Sequence, residues 1–411
     1  MIISLLCPNC NAKTSLMSEK ELIEKLKIGG IVSIRDYLLE QQAKGLKIAR
    51  TESGDPSFAI PENVKKAMNK ALAEDKTHYT AGAGIAELRK AIFKRVTEHN
   101  QLHLNSFTNV IITNGAMNAL FGVFHAIVDH KKYKILVPTP TWTETATNVT
   151  EVGGTPVFYT FDPFSQTPID INELEKLVNA DADIQALIIN SPHNPTGKIL
   201  DLENLNLIIA FCQKHDLYLI SDEAYEQVTF DGIKHISPAS LSDYDKIITI
   251  FSFSKSYAMS GVRLGCVCST DESILKKLSK IVRCSINGVS SVTQWGGVSA
   301  VLETPQSYFD TNLAEYTKRR NAIYEGALNS KYLSPVKPEG TFYLWCKIDD
   351  KWRPEIRENR SWYMTLEYLK LGVGSAPGEV FGPGGTNHIR FSFSCSTEDV
   401  KLAAEQLPKL I

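Results

Sequence analysis

The sequence predicts an α/β protein with a large domain on a mostly parallel sheet flanked by helices and a smaller α+β domain beside it. Three observations carry this expectation. Near-continuous apolar, β-branched runs recur through the middle of the chain, the pattern of strands buried on both faces. Helix-period amphipathic stretches lie between several of them. The chain holds 411 residues, 43% of them apolar, which is enough for more than one core when domains commonly hold about 100–200 residues.

Residues 1–55 read as a helical N-terminal segment that packs with the smaller domain. Residues 56–304 read as the large domain, with seven strand candidates. These are "NVIIT" (109–113), "KILV" (134–137), "TPVFYT" (155–160), "QALIIN" (185–190), "LYLIS" (217–221), "KIITIF" (246–251) and "RLGCVCS" (263–269). "DLENLNLIIAFCQKH" and "DESILKKLSKIVRC" are helix candidates among them. Residues 305–411 change character. A long polar helix, "SYFDTNLAEYTKRRNAIYEGAL", leads to "GTFYLWCKI", a Trp-containing helix, "GVGSAP" and "HIRFSFS". No internal repeat is visible.

With 44 Lys and Arg against 46 Asp and Glu, the charge is near balance and evenly spread. That gives no footprint for nucleic acid or an acidic membrane surface. The opening "MIISLLCPNCNAK" lacks the basic region and cleavage site of a secretory signal, and no stretch approaches the ~20 apolar residues of a membrane span. Eight cysteines in so long a chain do not form a disulfide framework. Cys7 with Cys10 and Cys266 with Cys268 are lone pairs, whereas a structural zinc site wants four ligands. The expectation is a cytoplasmic protein with reduced thiols and no bound metal.

The informative residues stand at strand ends. "QALIIN" ends in "SPHNPTG" with Asn194, "LYLIS" in "DEAY" with Asp222 and Tyr225, and "KIITIF" in "SFSKSYAMSGVRLG" with Ser252, Lys255 and Arg263. In a doubly wound sheet such ends open onto one crevice. A lysine there can form a Schiff base with an aldehyde cofactor. A carboxylate can hold a pyridine nitrogen protonated, and hydroxyls with an arginine can hold a phosphate. Pyridoxal phosphate needs all three.

"SFSKSYAMSGVRLG" resembles the lysine-attachment signature of the class I and II aminotransferases. "NPTG" (194–197) and "SDEAY" (221–225) are similar to that family's two other hallmarks, in its order and spacing. The resemblance runs from about Thr51 to the end and implies pyridoxal 5'-phosphate, transfer of an amino group from an L-amino acid to a 2-oxo acid, and a homodimer with shared active sites. It casts Lys255 as the attachment and proton-transfer residue and Asp222 as the partner of the pyridinium nitrogen. Asn194 and Tyr225 fall to the cofactor's phenolate oxygen. Ser252, Arg263 and the turn at Gly115 and Ala116 fall to its phosphate, joined across the dimer by Tyr79. Trp142 matches the aromatic stacked on the ring. Arg390, in "NHIRFSFS", matches the clamp for the substrate α-carboxylate, with Asn194 beside it and Gly54 facing the same group through its backbone.

Side-chain selectivity is less legible. Bacterial aspartate aminotransferases with similar motifs often carry a lysine after the phosphate-loop glycines, where this chain has Met117, suggesting a more apolar pocket. Arg283 stands near where another branch places an arginine for a distal carboxylate, but it also closes an amphipathic helix. Lys255 and Asp222 would equally serve β- or γ-elimination by a lyase or synthase. A non-catalytic sensor is a third reading, disfavoured by the intact site and the short segment before it.

Overall fold

The computed structural model describes residues 18–129 and 132–410, so Cys7 and Cys10 lie outside the described residues. All seven strand candidates form strands. After a short β1 (Ala49–Arg50), they are β2 (Val110–Thr113), β3 (Lys134–Thr139), β4 (Thr155–Thr160), β5 (Ile184–Asn190), β6 (Tyr218–Asp222), β7 (Ile247–Ser252) and β8 (Gly265–Ser269). They make one sheet in the order β2-β8-β7-β6-β5-β3-β4. Only β8 runs against its neighbours, pairing antiparallel with both β2 and β7.

Side chains alternate across the sheet. Ile188, Ile220 and Ile248 join one core, while Leu187, Leu219 and Ile247 join the other. Each core is closed by helices whose starts are written locally. Asp201 caps Leu202–Lys214 through the Asn204 N–H, and Asp271 caps Glu272–Ile286 through the N–H groups of Ser273 and Ile274. The edge strand β4 is the least buried, consistent with its place at the rim.

The C-terminal part adds β9 (Leu333–Pro335), β10 (Tyr343–Ile348), β11 (Val373–Gly374), β12 (Ala376–Pro377) and β13 (His388–Ser392). Four of them form an antiparallel sheet, β12-β13-β10-β9, against the long helix Gln306–Leu328. The N-terminal chain reaches this part: β1 pairs parallel with β11. Leu22, Ile23, Leu26, Ile34 and Leu38, from two helices, bury against Trp362, Leu366 and Leu369. Among the described residues no helix is long and apolar enough to cross a membrane.

Candidate active site

Topology brings the strand-end residues together. Thr113 of β2 and Ser252 of β7 both pair with Gly265, so the ends of β2 and β7 and the start of β8 share one edge. Asn190 pairs with Asp222 at that edge. The segments carrying Gly115, Asn194, Tyr225, Lys255 and Arg263 all leave the sheet there.

Lys255 sits in the short helix Phe253–Ser256, capped by Ser252, whose Oγ accepts from the Ser254 N–H at 3.2 Å. That bond uses a lone pair of the hydroxyl and leaves its proton available. The Lys255 Nζ donates to the Gly54 carbonyl at 2.6 Å and lies over the rings of Tyr225 and Phe342.

Asp222 is buried, and its Oδ1 accepts the Ala224 N–H at 3.2 Å. Burial pushes its carboxyl up to about 7, the nearby Glu223 adding to the rise while Lys255 opposes it. The turn behind it is braced by Glu223, fully buried, which accepts from the Ser221 hydroxyl and lies 2.7 Å from His235 Nε2.

A continuous chain of hydrogen bonds crosses from the large sheet to the small one. Arg390 Nη1 donates to Asn194 Oδ1 at 3.0 Å, and Asn194 Nδ2 donates to the Tyr225 hydroxyl at 3.5 Å. Tyr225 in turn lies 3.0 Å from the Tyr343 hydroxyl. Burial, with Tyr343 beside it, lifts the Tyr225 phenol well above its ordinary value, so it stays a donor at neutral pH. Arg390 also donates to the Glu52 carbonyl at 2.8 Å, and its guanidinium lies over the rings of Tyr343 and Phe381, at 4.1 and 4.6 Å. Its Nε is buried and has no acceptor. Gly54 is glycine because a Cβ there would stand 1.7 Å from the Tyr343 hydroxyl.

Arg263 adopts a left-handed φ of +65°, which costs a non-glycine residue about 1 kcal/mol and is tolerated where surroundings enforce it. Its Nη1 donates to the Ser260 carbonyl at 2.6 Å. Gly115, at φ +82°, opens the helix Gly115–Val128, and a Cβ there would meet Arg263 Nη2 at 2.6 Å. A Cβ on Gly265 would meet the backbone of Gly115 and Ala116 at 2.8–2.9 Å. Two glycines therefore let a guanidinium approach the N-terminus of a 14-residue helix, an arrangement suited to a phosphate.

The remaining sequence candidates sit apart from this cluster or at its rim. Trp142 immediately precedes the helix Thr143–Glu151 and is half-buried against the large-sheet core. Met117 accepts a 3.3 Å contact from Asn148 Nδ2, so its pocket wall is not purely apolar. Tyr79 is 89% exposed. Arg283 is exposed on the helix Glu272–Ile286, beside Gly82, whose Cβ would come within 3.4 Å of it. Sequence reasoning missed Tyr343, Phe381, the Glu52 carbonyl and the Glu223–His235 brace. Only "GTFYLW" gave any signal, as an aromatic strand without polar punctuation.

The residues present fit pyridoxal phosphate. The Gly115–Arg263–Gly265 cradle is open only because side chains are missing from it, and the Ser256 hydroxyl, next to Lys255, is buried without a partner. Asp222 is a buried carboxylate that a protonated ring nitrogen would return to its charged form.

Residues 50–407 match the family model for aminotransferase class I and II. The chain is 31% identical to aromatic-amino-acid aminotransferase 2 of Thermococcus litoralis over 87% of its length and 90% of that protein. It is 29% identical to the aspartate/prephenate aminotransferase of Thermus thermophilus over 95% and 97%. Among solved structures, the Thermus thermophilus aspartate aminotransferase with maleate superposes with a TM-score of 0.86 at 28% identity, covering 94% of this chain and 99% of that one. The chain belongs to the class I and II aminotransferases, and it is a pyridoxal-phosphate-dependent transaminase.

Proposed function

We propose that this enzyme moves the amino group of an L-amino acid to a 2-oxo acid at a site built on Lys255, Asp222, Asn194, Tyr225, Arg263 and Arg390. The observation that carries this assignment is the Arg390–Asn194–Tyr225 chain of hydrogen bonds, which couples a carboxylate-binding fork to the strand ends holding Lys255 and Asp222. Pyridoxal phosphate, when bound, supplies an aldehyde that condenses with amines and a ring that accepts electrons from the substrate α-carbon.

The protein's own residues do the rest. The Lys255 Nζ would hold the aldehyde covalently and, as a free amine, would take the proton from the substrate α-carbon. Asp222 would keep the ring nitrogen protonated. Tyr225 and Asn194 would donate to the phenolate oxygen. The Ser252 hydroxyl, Arg263 and the Gly115–Ala116 helix start would hold the phosphate, and Trp142 would cover the ring. Arg390 pairs with the α-carboxylate, and Gly54 leaves room beside it.

The same reading makes residues 56–304 the cofactor domain and groups the segment 1–55 with 305–411 in the second, of which 1–17 and 411 lie outside the described residues. It also makes the enzyme a homodimer. Tyr79, an aromatic left 89% exposed, supports a partner that buries it, and it would reach the partner's phosphate. Thr80 and Gly82 next to it adjoin Gly288 and Arg283, so Arg283 belongs to the same face and would meet a distal carboxylate across it. Free thiols at all six described cysteines, including exposed Cys284, favour a reducing compartment such as the cytoplasm.

The test is the visible absorption of the holoenzyme with single L-amino acids. Loss of the band with an amino acid and its return with a 2-oxo acid is the expected result. Release of ammonia and pyruvate in place of a new amino acid would assign elimination instead.

A further inference from the structure

One acidic side chain near this site has no role in the transfer just described. Glu144 lies in the first turn of the helix Thr143–Glu151, two residues after Trp142. Its Oε2 is buried and meets no hydrogen-bond donor. Burial raises its carboxyl above the usual range, opposed by its own backbone N–H and by the charge of Arg390. Arg390 in turn feels Glu144. An acid that merely complemented a helix dipole would do so from the surface without desolvation.

Two hydrogen bonds tie this turn to the segment that packs on Arg390. The Thr141 N–H donates to the Phe381 carbonyl at 2.8 Å, and the Thr143 hydroxyl donates to the Val380 carbonyl at 2.9 Å. Phe381 is the residue whose ring stacks on the Arg390 guanidinium at 4.6 Å. Glu144 and Arg390 thus flank one segment, each with a buried atom left unpartnered, Oε2 on one and Nε on the other. One helical turn on, Asn148 projects an amide toward Met117, so this wall of the site is polar. The Glu144 carboxylate is half-buried with one oxygen, Oε2, left without a donor, a cost that a cation meeting it would offset.

We infer that Glu144 is a specificity residue that receives the basic end of the substrate, an ammonium or guanidinium, while Arg390 holds its α-carboxylate. The natural donor or acceptor is then an α-amino acid, or its 2-oxo acid, with a cationic side chain. This rests on the active site proposed above. The competing substrate is a dicarboxylate anchored by Arg283 across a dimer, and Glu144 would repel it.

The test compares the holoenzyme and its E144Q variant on L-ornithine, L-lysine, L-arginine, L-alanine and L-aspartate. The wild type is expected to favour the basic amino acids. E144Q should lower their kcat/KM by roughly tenfold to a hundredfold, the range for losing a charge-assisted bond, mainly through KM, while alanine changes by less than about threefold. A second reading uses 5-aminopentanoate, which has the two end groups but no α-amine to react. It should raise the Tm of the wild-type holoenzyme and leave that of E144Q unmoved. A wild-type preference for aspartate, or an equal loss on all five substrates, would overturn the assignment of Glu144 and leave the transaminase site standing. Failure to turn over any amino acid would overturn the site and this inference with it.

Discussion

The guanidinium of Arg390 donates to the side-chain oxygen of Asn194 at 3.0 Å, across 196 residues of sequence. One residue comes from the small sheet and the other from the turn after β5. On the proposed assignment, the bond would fix the fork that meets a substrate carboxylate relative to the donors that meet the cofactor. Substrate binding and cofactor orientation would then be coupled through a single side-chain amide.

Replacing Arg390 with Lys keeps the charge but loses the planar fork and its two anchoring bonds. We expect kcat/KM for both half-reactions to fall by roughly 10²–10³-fold, as removal of a charge-assisted bidentate pair would give. The cofactor absorbance should persist. Steady-state kinetics with the donor and the 2-oxo acid check this. An unchanged KM for both would remove Arg390 from the carboxylate site.

Lys255→Ala should bind pyridoxal phosphate without covalent attachment. Borohydride reduction followed by mass measurement will then show no added cofactor on the variant. Turnover should drop by at least ~10²–10⁴-fold, the range for losing a positioned general base.

Asp222 makes a prediction with a definite sign. Its folded carboxyl is pushed up to about 7 by burial, whereas an unfolded aspartate titrates near about 4. Between those values the folded, cofactor-free protein holds a proton that the unfolded chain has lost. Its stability contribution is therefore present below about pH 4 and is lost as pH rises through about 7. Asp222→Asn removes the term, so the Tm of the cofactor-free variant should change less than wild type between about pH 5 and about pH 8. Parallel pH profiles for the two proteins would contradict the buried, shifted carboxyl.

Gly115→Ala forces a side chain into the left-handed region and sets its Cβ 2.6 Å from Arg263 Nη2. The backbone term alone is about 1 kcal/mol. The larger effect should be on cofactor affinity, since Arg263 must move from the phosphate cradle. Equilibrium dialysis with pyridoxal phosphate is expected to show weaker binding by roughly tenfold or more.

Tyr79→Phe should leave the fold and sedimentation unchanged while weakening cofactor retention on dilution. Tyr79→Asp, placing a charge on the proposed face, should shift the sedimentation equilibrium toward monomer. A monomeric wild type would withdraw both expectations.

The sequence by itself determined the seven strands of the large sheet, because β-branched apolar runs, helix caps such as Asp201 and Asp271, and Gly or Pro punctuation act over a few residues. It also marked Lys255, Asp222, Asn194, Arg263 and Arg390 as candidates, since each lies within an apolar strand or beside its end as a group that is costly to bury unpaired. Only the tertiary structure decided what those residues touch. The reversal of β8 that sets Gly265 against both Thr113 and Ser252 is a pairing between distant segments. So are the Gly54 carbonyl under Lys255, the Tyr343 hydroxyl beside Tyr225 and the Val380 carbonyl that accepts from the Thr143 hydroxyl. Local propensity carries no information on such contacts, because a carbonyl, a strand tyrosine or a first-turn threonine has the same intrinsic preference wherever the chain later packs. Packing over some 200 residues of separation made them a site.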